Sequence, residues 1–144
     1  MTERINHWAV WVAAIAYFVF GWLWYTIFSA PWMALTGITA DKASGGAGIF
    51  VGSFVLGLIL AYATAIALTR HPEEQTLQQG VSFALFMGIA LFATQTLNQA
   101  LYESRPMALW AIDAGYVVVG FAIIGAIVGA WKKGVRLAEP APQK

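Results

Sequence analysis

MALWAIDAGYVVVGFAIIGAIVGAW, residues 107–131, contains a single charged side chain, Asp113. An α-helix of this length, at 1.5 Å per residue, spans the roughly 30 Å hydrocarbon core of a bilayer. Gly125 and Gly129 form a G-x-x-x-G step, and Ala122, Ala126 and Ala130 form a second small ridge. Such ridges let a neighbouring helix approach closely where no hydrophobic effect drives helices together. Three comparable runs precede it, at 8–28, 47–68 and 81–101, and none contains Asp, Glu, Lys or Arg.

Composition points the same way. Of the 144 residues 60% are hydrophobic and 10% charged, with mean hydropathy +0.68. A soluble domain carries about 25% charge. The four runs leave no room for a soluble domain, so we read residues 1–144 as one four-helix transmembrane domain. The formal net charge of +1 implies nothing about nucleic acid, no basic stripe exists, and no nucleic-acid partner is expected. Cysteine is absent, which removes thiolate, disulfide and Cys-based metal chemistry. The first run is too long and too rich in Trp and Tyr for the 7–15-residue core of a signal peptide, so we expect a retained helix.

Positive charge sets an expected orientation. With four crossings, Arg4, Arg70, Lys132, Lys133, Arg136 and Lys144 fall on one side, and Lys42 and Arg105 on the other. Both termini are therefore expected in the cytoplasm, in an up-down bundle of a bacterial inner membrane. Trp8, Trp11, Trp24 and Tyr25 suit interfacial belts at the two ends of the first helix. Pro31 is expected to break that helix, and Trp32, Met33 and Leu35 to lie along the outer interface. Small-residue steps at Gly48, Gly52, Gly57, Ala61 and Ala65 mark the second helix. Pro72, Glu73 and Glu74 suit the first turn of the third. The small ridges also point to a homo-oligomer.

The polar residues inside the spans gather near one end. Gln95, Asn98, Gln99 and Tyr102 fall at i, i+3, i+4 and i+7, one helical face. Closing the turn at 103–106 symmetrically puts residue n beside residue 209 − n. Asp113 is then level with Thr96 and next to Gln95 and Gln99. Tyr116 and Gly120 share its face. Gly21, Trp24, Tyr25 and Phe28 bring a third helix to the same depth. A carboxylate at a helix centre costs roughly 2.5–3.5 kcal/mol on insertion scales, so Asp113 needs a partner, a proton or a cavity. Three readings stand at this point: polar packing between helices; a binding or permeation site for a small solute, cation or proton; or an ion pair with Arg105. Asp113, Gln95, Asn98, Gln99, Tyr116, Trp24 and Tyr25 are the candidates for the second.

No cofactor, metal or enzymatic activity is expected. His7 and His71 are the only histidines, and nothing else marks a haem pocket around them. There is no Walker A, H-E-x-x-H or G-x-S-x-G. A lone acid without a nearby His, Ser or Cys makes a poor catalytic site.

Several stretches together resemble a known family. They are Gly21-Trp22-Leu23-Trp24-Tyr25, Trp32-Met33, Glu103-Ser104-Arg105-Pro106, Asp113-Ala114-Gly115-Tyr116 and Gly125-Ala126-Ile127-Val128-Gly129-Ala130-Trp131. In this order, over nearly the whole chain, they resemble the small bacterial and fungal membrane proteins catalogued as domain of unknown function 1761. The resemblance implies several membrane spans and no established activity. In the family pattern Asn is usual where this chain has Asp113. An amide packs and hydrogen-bonds but carries no proton, so the resemblance favours the packing reading of that position. Small-solute or cation binding and transport is the leading functional expectation. A structural or accessory membrane subunit is its rival.

Overall fold

The computed structural model describes residues 5–43, 46–70 and 75–133. Its elements are α1 (His7–Ile27), α2 (Ser29–Thr36), α3 (Ala40–Ala43), α4 (Gly46–Leu68), α5 (Leu77–Met87), a π-helical turn (Gly88–Ala93), α6 (Thr94–Tyr102) and α7 (Met107–Ala130). Four helical stretches are long and apolar enough to cross a membrane: α1, α4, the continuous Leu77–Tyr102 segment and α7. Arg4, His71, Pro72, Glu73, Glu74, Arg136 and Lys144, used above for orientation, haem and helix onset, lie outside the described residues.

The chain is arranged as a membrane protein, small inside and large outside. Ala9, Ala13, Ala14, Ala61, Ala65 and Ala84 are almost completely buried. Ile124 and Val10 are the largest side chains fully buried among the described residues. Leu56, Ile59, Phe86, Leu91 and Trp22 are more than half exposed. In water such a surface would be a severe liability. Against lipid it costs nothing, and close van der Waals packing of small residues holds the helices together.

α7 is the central element, packed against α1, α5 and α4, while α1 also packs on α4. Gly80 of α5 sits directly against the Gly125 carbonyl, and Gly129 against the Thr76 carbonyl. The G-x-x-x-G step of α7 is thus spent within the chain, on a glycine the sequence pattern did not single out. On α4, Gly57 meets the Tyr17 ring and Ala61 and Ala65 are buried, but Gly48 and Gly52 face open space. Aromatic contacts of Phe18 with Phe50 and Phe54 complete the α1–α4 seam.

Two helix boundaries differ from the sequence expectation. α1 ends at Ile27, and Pro31 lies in the first turn of α2 rather than at the break. A first-turn proline loses no intrahelical hydrogen bond, so it starts a helix as readily as it stops one. Gly37, at φ +70°, then ends α2 in the left-handed region. The third span opens at Leu77 with the Thr76 hydroxyl accepting from the Gln79 amide.

Two amides close the end of the bundle that holds Leu68 and Trp131. The last carbonyls of a helix have no intrahelical partner. Gln75 Nε2 donates to the Val128 carbonyl at 2.8 Å, and Asn6 Nδ2 to that of Trp131 at 3.3 Å. Asn6 Oδ1 also accepts from the Ala9 amide, so one side chain starts α1 and ends α7. Gln75 is 6% exposed, which makes its bond the better shielded of the two. Gln75→Leu should therefore lower stability by about 1 kcal/mol, measured as a reduced thermal midpoint in lipid nanodiscs, without changing helix content.

Candidate functional site

Near the opposite end, α1, α6 and α7 enclose a cavity of about 270 Å³. The Tyr25 hydroxyl donates to Asp113 Oδ1 at 2.9 Å. The i, i+4 spacing that aligns Gly21 with Tyr25 on α1 places Gly21 against Tyr116, whose hydroxyl would lie 2.9 Å from a Cβ there. One residue before Tyr25, the Trp24 indole donates to the Ile112 carbonyl at 3.1 Å. Trp24 packs on Phe28, and Tyr25 on Tyr116, with ring centroids 4.8 and 5.2 Å apart.

Asp113 has no second hydrogen-bond partner among the described residues, and no buried side-chain oxygen or nitrogen there lacks one. Its second oxygen is consequently open to the cavity. Around it stand the rings of Tyr25, Phe92, Trp110 and Tyr116. The π-helical turn reaches this wall. Trp110 Nε1 lies 3.3 Å from both the Ala93 carbonyl, at the end of that turn, and the Thr96 hydroxyl. π-Helical turns leave carbonyls without their usual partners and recur at functional sites.

Of the residues expected here, Asp113, Tyr25, Tyr116 and Gln99 line the cavity, and Trp24 braces α1 against α7 beside it. Gln95 and Asn98 do not line it. These two, with the exposed Tyr102, are turned away, while Thr96, Gln99 and Ala100 reach the cavity. The depth relation holds to within about a helical turn: Gly80 meets Gly125 and Gly129, Gly88 meets Val118 and Phe121, and Gly125 meets Gly80 and Ala84, so facing residue numbers sum to between 205 and 209. The Arg105 amide donates to the Ala100 carbonyl, and Pro106 is extended at ψ 129°.

The ion pair with Asp113 is replaced by another. Arg105 Nε pairs with Glu103, and Gln99 Nε2 donates to the same carboxylate at 2.8 Å. Gln99 first, then Arg105, hold the Glu103 carboxyl below the ordinary carboxylate range. Arg105 also borders the cavity, but Glu103 balances its charge at the mouth. Trp110 is one of the cavity residues that the sequence reading misses, with Phe92, Ala100, Leu109 and Val117, though its i, i+3 relation to Asp113 puts it on the same face.

No curated protein and no solved structure matches the chain. A family model described as a protein of unknown function, DUF1761, matches residues 8–129, from the start of α1 to the last turn of α7 and thus over every element of the cavity, and the chain belongs to that family.

Proposed function

We propose that this integral membrane protein binds a small cation at Asp113 and, as a homo-oligomer, passes it across a bacterial inner membrane; we do not assign it a catalytic role. One observation carries the reading: a carboxylate oxygen open to a cavity whose walls are aromatic faces. Charge and cation–π attraction act together in such a place, the latter at about 2 kcal/mol where water is excluded. At about 270 Å³ the cavity lies just under the usual range of drug-sized pockets, which fits a compact ion. An α-helical chain this small encloses no continuous path by itself, hence the proposed assembly of several copies. The direct test is calorimetric titration of tetramethylammonium into the protein in nanodiscs. One saturable site per chain is expected in the parent and none in Asp113→Asn.

The orientation, with both termini cytoplasmic, rests on Arg70, Lys132 and Lys133 lying at one end of the bundle and Lys42 and Arg105 at the other. Since the chain has no cysteine, single cysteines at Lys42 and Lys132 report sidedness without background. An impermeant maleimide added to intact cells should label the first and spare the second.

A second reading has its own support. The Trp24–Ile112 and Tyr25–Asp113 hydrogen bonds both tie α1 to α7. That is what a polar cluster serving helix packing would do in a structural or accessory subunit.

A further inference from the structure

A second cavity, of about 540 Å³, lies between α1, α2 and α4. Tyr25 and Tyr116 line it too, so the two cavities meet at these two rings. Its character is different. Phe18, Trp22, Trp32, Met33 and Phe50 face it, and no charged side chain does. Thr26 and Ser29 also reach it, but Thr26 is already bonded to the Trp22 carbonyl and Ser29 to that of Thr26. One cavity therefore offers a carboxylate and little volume, and the other offers apolar volume and no charge. Their shared wall is latched by the Tyr25 hydroxyl on Asp113.

We propose that the two cavities are halves of one site for a lipophilic cation, with its charged head on Asp113, its apolar body between α1, α2 and α4, and Tyr25 as the movable partition. This rests on the cation reading above and adds the class of ligand. A cationic head seated on the open Asp113 oxygen draws on the carboxylate charge and so weakens the Tyr25 hydroxyl's bond to Oδ1. Once that bond breaks, the ring loses its tether and the body of the ligand takes the space behind it. The apolar cavity then contributes affinity in proportion to the hydrocarbon it buries.

The test compares tetramethylammonium, which has a head and no body, with tetraphenylphosphonium, titrated into the full chain in nanodiscs. The second should bind at least about tenfold more tightly, a gap of about 1.4 kcal/mol. Ser53→Phe fills the apolar cavity from α4 and should weaken tetraphenylphosphonium about tenfold while leaving tetramethylammonium unchanged. Should that variant not fold, Phe50→Ala, which strips part of the apolar wall, should shift the same ratio in the same direction. Asp113→Asn should abolish saturable binding of both. If tetramethylammonium binds and tetraphenylphosphonium does not, or if both variants leave the ratio unchanged, the two-part site is wrong while the cation site stands. If tetraphenylphosphonium binds Asp113→Asn as well as the parent, the apolar cavity is a lipid-like pocket and the proposal fails. If neither ion binds the parent, the cation reading itself fails.

Discussion

Gly80→Leu should abolish the folded state at ordinary temperature, the largest stability effect of any single substitution considered for this chain. A Cβ at Gly80 overlaps the Gly125 carbonyl, and that carbonyl belongs to a helix backbone with no rotamer to change. The reciprocal contacts are as tight: Gly125 lies on the Gly80 carbonyl, and Gly129 on the Thr76 carbonyl. Overpacking a core typically costs 1–3 kcal/mol, when side chains can give way. Here two backbones would have to separate, so a loss of about 3 kcal/mol or more is expected. α5 packs chiefly on α7, so little else holds it in place. Its displacement would also carry α6 away from the cavity. Gly80→Ala should show the same effect at smaller size. Gly52→Leu is the contrast, because nothing lies within 4 Å of that position. It should leave the thermal midpoint in nanodiscs unchanged and, if the open Gly48–Gly52 ridge joins copies, shift the oligomeric state instead.

The sequence made the spans legible because apolar runs of about twenty residues have only one stable outcome in lipid. It also brought Trp24, Tyr25, Asp113 and Tyr116 to one depth, since helical periodicity and rise are nearly fixed quantities. Rotation was not legible. In water a polar stripe faces outward by rule, but in a membrane Gln95 and Asn98 can face a neighbour, a headgroup or a second copy, and periodicity alone does not choose. Gly80 went unnoticed as a lone glycine in a polar prelude, although its value lies entirely in what Gly125 and Gly129 bring against it. The π-helical turn has no signature that we can name in Gly88–Ala93.

Asp113→Asn separates the two readings of the polar cluster, because it keeps one function of the side chain and deletes the other. The carbonyl oxygen of the introduced amide still accepts from the Tyr25 hydroxyl, so the α1–α7 link survives. Packing around it, Trp24 on Ile112 included, makes no use of the charge. Stability should therefore change by less than about 1 kcal/mol, within what one net hydrogen bond contributes. The aromatic walls remain and keep their share of cation–π attraction, but the carboxylate's Coulomb term is lost. That term is about 4 kcal/mol for unit charges about 4 Å apart at an effective dielectric of about 20. A loss of roughly thirtyfold or more in tetramethylammonium affinity is expected even if half of that is offset by desolvation. Tyr25→Phe provides the opposite case, removing the hydroxyl and leaving the charge. It should destabilise the α1–α7 contact slightly and strengthen cation binding, because the carboxylate charge is no longer shared with a donor at Oδ1. Affinity falling in Asp113→Asn with an unchanged thermal midpoint assigns the carboxylate to a ligand. An unchanged midpoint with no cation binding in the parent assigns it to packing, and the chain then joins the structural subunits.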